Sequence, residues 1–79
     1  MRVVKEFTKN DIRISIFSWN GKYLIKYEQG MIEQTYKVSE MDILEEQDLE
    51  AFFDEAFLDE VNKRFEEMHQ SLRNQIENI

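Results

Sequence analysis

Apolar and polar residues alternate with a period of two through the first forty positions, then recur at spacings of three and four. In the first part, β-branched and aromatic residues fall in four runs, at about 2–7, 11–19, 22–28 and 31–38, separated by turn-forming residues. Asn20-Gly21 between the second and third runs is the strongest short hairpin signal, because a type I′ turn needs positive φ at both central positions. Gln29-Gly30 predicts the next tight turn, and Thr8-Lys9-Asn10-Asp11 a looser one. Residues 1–40 therefore predict an antiparallel four-stranded meander.

The second part, residues 41–79, contains no glycine, and the chain has no proline. Ser39 with Asp42 resembles a capping box, and Asp48 is a good N-cap for a helix starting there. From about 48 to 77, Leu49, Phe52, Phe53, Ala56, Phe57, Val61, Phe65, Met68, Leu72 and Ile76 predict a helix. The expected fold is a single α+β domain, a four-stranded antiparallel meander followed by a long C-terminal helix, or two helical segments, packed on one sheet face. Thirty helical residues span roughly 45 Å, whereas strands of eight residues span roughly 26 Å. A continuous helix would overhang the sheet by about 20 Å. Either the chain bends near Leu58–Asn62 or the overhang pairs with a second molecule. Phe65, Met68, Leu72 and Ile79 follow the narrow seam of a helix that packs on another helix, with Ile76 on the same periodic pattern. These five residues form the expected homodimer interface.

Two-residue turns set strand register, so the faces can be written down. Across Asn20-Gly21 the expected partners run from Trp19–Lys22 to Arg13–Glu28. One face then collects Ile12, Ile14, Ile16, Tyr23, Ile25 and Tyr27, and the register across Gln29-Gly30 adds Ile32, Tyr36 and Val38. This is the face for the helix to cover. On the other face Glu6, Arg13 and Glu28 are expected to line up across three strands at one end. Phe17, Trp19 and Leu24 gather at the other end with Lys22, Lys37 and Arg2. Lys22 and Lys37 come out directly opposite each other, an arrangement that like charges disfavour.

Charge sharpens this picture. The net charge of −7 divides unevenly: residues 1–40 hold seven Lys/Arg and five acids, and residues 41–79 hold three Lys/Arg and twelve acids. The plain interpretation is a solvated acidic helix on a near-neutral sheet; the sharper one is a sheet face for an anionic partner. At 79 residues without cysteine, neither disulfides nor thiolate metal sites can reinforce the fold, and association with another chain is the remaining aid. Met1–Glu6 lacks the apolar stretch of a signal peptide, and no apolar run approaches the roughly 20 residues that span a bilayer. A cytoplasmic location without membrane attachment is expected.

Few residues suggest chemistry. Glu66-x-x-His69 has the spacing used in carboxylate-bridged di-iron bundles, but such a site needs two copies and further inward carboxylates. Acids are so common here that a Glu three residues before the single His carries little information. No metal or other cofactor is expected. Adjacent acid pairs such as Asp59-Glu60 point about 100° apart on a helix and form a solvated face. No nucleophile motif or phosphate-binding glycine loop is present, and the serines have no evident activating base. A non-enzymatic protein-interaction or structural module is the expectation. The alternative is single-stranded nucleic-acid binding on Arg2, Phe17, Trp19, Lys22, Leu24 and Lys37, where aromatic platforms stand beside cations. In element order the chain resembles the whirly-type single-strand binders, which act as dimers. The net charge opposes such binding, and Trp19 beside Lys22 also fits a local cation–π pair.

The stretch Ile16-Phe17-Ser18-Trp19-Asn20-Gly21-Lys22-Tyr23-Leu24-Ile25-Lys26-Tyr27-Glu28-Gln29-Gly30, with Phe57-Leu58 and Arg64-Phe65-Glu66-Glu67-Met68, resembles a group of short bacterial proteins of unknown function. That resemblance covers nearly the whole chain. It implies a bacterial cytosolic protein and brings no catalytic or binding residues with it.

Overall fold

The computed structural model describes residues Met1 to Ile79 and contains the expected meander. Strands β1 (Arg2–Lys9), β2 (Ile12–Trp19), β3 (Lys22–Gln29) and β4 (Ile32–Ser39) form one antiparallel sheet in sequence order. The β2–β3 register runs from Trp19↔Lys22 to Arg13↔Glu28, as the Asn20-Gly21 turn dictates. Asn20 and Gly21 have φ of 54° and 77°, the left-handed pair of a type I′ turn.

Three details differ from the sequence-based expectation, each for a backbone reason. The β3–β4 turn falls on Gly30-Met31, with Gln29 paired to Ile32, rather than on Gln29-Gly30. Positive φ is needed at the first turn position, where glycine adopts it at no steric cost and glutamine does not; Gly30 has φ 60°. The register shift keeps every residue on its expected face but places Lys37 opposite Leu24 and Lys22 opposite Ser39. The two lysines are diagonal, so the expected like-charge clash is absent. Asn10 and Asp11, with φ of 53° and 63°, make a tight two-residue turn instead of a looser one. Short polar side chains tolerate that conformation. Finally, β1 carries a bulge: Val3 pairs with Phe17 and Lys5 with Ile16, leaving Val4 unpaired.

The long helical stretch expected over 48–77 is in two segments. A 3₁₀ segment, Glu46–Phe53, precedes helix α1, Glu55–Glu77, and the break lies at Asp54 rather than near Leu58–Asn62. Asp54 is extended (φ −75°, ψ 164°), and its carboxylate accepts from the Phe57 N–H at 2.8 Å, capping α1. Asp48, expected as an N-cap, instead accepts from the Glu45 N–H at 3.1 Å. Ser39 accepts from the Met41 N–H at 3.2 Å, but this holds only the short 3₁₀ turn Glu40–Asp42.

Both segments cover the face predicted for them. Ile12, Ile14, Ile16, Tyr23, Ile25 and Tyr27 are buried under Leu49, Leu58, Val61 and Phe65. Phe53 packs edge-on against Phe7 at 4.9 Å, and Phe57 leans against both Tyr27 and Tyr36. Arg64 on α1 reaches down to β4, donating to the Gln34 Oε1 at 3.0 Å and the Tyr36 hydroxyl at 2.9 Å. Gln34 in turn donates to the Val61 carbonyl at 3.0 Å. These bonds seat α1 toward β4, so that it leaves the sheet beside Gly30, where the His69 ring sits.

Candidate interaction surfaces

Two surfaces remain uncovered: the far end of α1 and the sheet face turned away from the helices. On α1, Phe65 is fully buried and Met68 is half-buried against the core. Beyond His69 every residue of the helix is exposed. Leu72 is 40 % exposed, Ile76 59 % and Ile79 100 %. The expected dimer seam is therefore corrected at its first member: Phe65 belongs to the intramolecular core, because α1 starts seven residues later than predicted and its sheet-covering stretch shifts along with it. Met68, Leu72, Ile76 and Ile79 remain as an apolar stripe at the end of a helix whose other late residues are polar.

On the open sheet face the register assembles a row across all four strands, Val3–Phe17–Leu24–Lys37. Trp19, half exposed, stands opposite Lys22, whose ammonium lies 6.0 Å from the indole ring. Neither Lys22 nor Lys37 takes part in a salt bridge, while Lys26 is held by Glu33 at 3.1 Å and Glu28 at 3.7 Å. The hydrogen bond that Lys26 donates to Glu33, and the charges of the neighbouring Glu28 and Glu33 carboxylates, raise the Lys26 pKa. Arg2 does not join this face. The bulge at Val4 places it opposite Ser18, on the helix side, where its guanidinium pairs with Glu46. Val3 takes the place expected for Arg2, an exchange that only a bulge could have revealed. The charge ladder at the other end is also partly diagonal: Glu6 faces Ser15 and reaches Arg13 at 3.6 Å.

His69 lies half-buried with Nε2 3.2 Å from the Gln29 Oε1, and Glu66 is exposed on the outer side. No group of three His, Asp or Glu side chains is placed to hold a metal ion. A cleft of 520 Å³ runs between α1 and β4, lined by Ile32, Gln34, Arg64, Glu67, Met68 and Ser71. A smaller one of 210 Å³ lies over the β1 bulge, between Val4 and Leu49. No helix is long and apolar enough to cross a membrane. Comparison with family models, curated proteins and solved structures finds no match.

Proposed function

We propose that this chain is a non-enzymatic interaction module that self-associates as a homodimer through the end of α1. The carrying observation is the stripe Met68, Leu72, Ile76 and Ile79, which continues the helical apolar pattern past the point where the sheet ends. Within one chain Leu72, Ile76 and Ile79 have nothing to cover, and Met68 is only half-buried against the core. Burying them against a second copy removes apolar surface from water and supplies the reinforcement that a domain of this size lacks. The acidic remainder of α1 keeps the dimer's outside solvated.

Light scattering on a sizing column tests this reading. The parent protein is expected to run as a dimer, and Leu72→Glu combined with Ile76→Glu as a folded monomer, since both positions are exposed in the single chain. A double variant that remains dimeric contradicts the proposal.

One arrangement supports a second reading, single-stranded nucleic-acid binding: Trp19 and Phe17 on the open face, beside the two lysines without acidic partners. Stacking on such a residue contributes about 1–3 kcal/mol per base. Trp19→Ala is then expected to weaken binding of a labelled oligonucleotide at low salt at least fivefold while the fold persists. The absence of any complex with the parent at low salt excludes it. The loss of Arg2 to the helix side and the net charge of −7 both weigh against this reading.

A further inference from the structure

The end of α1 offers only four apolar side chains, too few on their own for the roughly 1,000 Å² that a specific interface clears. The surface adjoining it is the outer edge of β4. Gln29 and Ile32 close a two-residue hairpin and so form a hydrogen-bonded pair, and such pairs alternate along an antiparallel ladder. Ile32, Gln34, Tyr36 and Val38 therefore bond inward to β3, and the N–H and C=O groups of Glu33, Thr35 and Lys37 point outward. Six backbone hydrogen bonds fall outside the helices and strand ladders, and none engages these groups. No side chain bonds to them either. The opposite edge of the sheet, β1, is blunted by its bulge and by Lys5 and Lys9, whereas β4 has neither bulge nor proline.

Resting on the homodimer reading, we infer that the β4 edge pairs with the β4 edge of a second copy, antiparallel about a two-fold axis at Thr35, giving a continuous eight-stranded sheet. The charges select this register. Centred on Thr35, Glu33 of each copy faces Lys37 of the other, on the open face. Centring on Glu33 or on Lys37 opposes like charges, and centring on Gln34 or Tyr36 leaves both charges without an opposite partner. Lys37 is free of salt bridges within the chain, and Glu33 already holds Lys26, so the dimer completes an alternating line of Lys26, Glu33 and the second copy's Lys37. Hydrogen-bonding geometry agrees with the charges, because Glu33, Thr35 and Lys37 are the residues whose backbone groups point outward. On the helix side the same register sets half-buried Ile32 against half-buried Val38 of the second copy.

The two-fold also joins this edge to the α1 stripe. β4 begins at Ile32, beside Met68 and Ser71 in the cleft, and antiparallel pairing brings the far end of the second copy's β4 to that place. Just past that end stand Met41 and Leu44, 90 % and 91 % exposed. They arrive at the end of the sheet where Met31, Leu72 and Ile76 are exposed in the first copy. Exposed apolar positions that are separate in the single chain thereby fall in one interface, repeated by symmetry.

Sedimentation equilibrium of the full chain and three sets of variants tests this pairing, with circular dichroism to follow the fold. Thr35→Pro removes an outward N–H that β3 does not use, and it is expected to give a folded monomer. Lys37→Glu is expected to weaken dimerisation about tenfold, since two attractive pairs become repulsive. Glu33→Lys in combination with Lys37→Glu is expected to recover most of that loss, a rescue that needs no proline and that only self-pairing about Thr35 demands. A Thr35→Pro protein that stays dimeric, or a charge exchange without rescue, overturns the β4 pairing. If the dimer is then dissociated by Leu72→Glu with Ile76→Glu, the α1 interface stands without it. A parent that is monomeric at every concentration overturns both.

Discussion

Phe65→Ala is expected to lower stability by about 3–5 kcal/mol, the cost of emptying a buried aromatic site. Phe65 is completely buried in the cluster that includes Ile12, Tyr27 and Val61, and it lies near the middle of α1, where the helix is pressed to the sheet. A domain of this size holds on the order of 5 kcal/mol in total, so much of the variant is expected to be unfolded at room temperature. Leu72→Ala, two turns further along, removes hydrocarbon from an exposed position and should shift the stability of the monomer by less than about 0.5 kcal/mol. Urea titrations followed by circular dichroism, at concentrations low enough to populate the monomer, give both numbers. Equal losses at the two positions would mean that α1 is not seated as described, since the contrast rests entirely on where the helix leaves the sheet.

Tyr27→Phe is expected to cost about 1–3 kcal/mol through a single atom. The Tyr27 side chain is buried under Phe52 and Phe57, and its hydroxyl donates to the Phe52 carbonyl at 2.6 Å. Phenylalanine keeps the packing but leaves that carbonyl without its donor, at the point where the 3₁₀ segment turns into α1. Burial, reinforced by the neighbouring Tyr36, pushes the Tyr27 phenol well above its ordinary pKa of 10.0. Above about pH 10 the unfolded chain loses this proton and the folded chain keeps it, so the unfolded state gains and stability falls as pH rises. At lower pH both states hold the proton and the contribution is constant. Urea midpoints measured from about pH 8 to about pH 11 should therefore bend downward near the upper end in the parent, with a shallower bend in Tyr27→Phe. Identical alkaline slopes for the two proteins would contradict a buried, protonated Tyr27.

The parts of this fold that were legible in the sequence are those set by local backbone chemistry. Asn20-Gly21 determines its turn, and the turn determines the β2–β3 register and the six core residues of β2 and β3. For the β3–β4 turn, Gln29-Gly30 and Gly30-Met31 both contain the needed glycine, and only the requirement for positive φ at the first position separates them. The bulge at Val4 has no sequence signal, and it alone moves Arg2 off the open face. The break at Asp54 has a sequence signal of its own. An aspartate just before an apolar-periodic run is an N-cap signal, but the spacings of three and four run through it without interruption, because 3₁₀ and α segments both satisfy them. With the break at Asp54, Phe65 falls over the sheet and out of the expected dimer seam. The β4 edge proposed to pair is not visible in side-chain faces alone, since its unpartnered N–H and C=O groups point away from the sheet.

Sedimentation equilibrium of the unmodified protein, across a concentration range from micromolar to hundreds of micromolar, tests self-association most directly. A mass approaching twice that of the 9.6 kDa chain as concentration rises is the expected result, and it establishes the self-association that the α1 and β4 variants then locate. A single species of 9.6 kDa throughout would contradict it and leave Leu72, Ile76 and Ile79 without the second copy proposed to cover them.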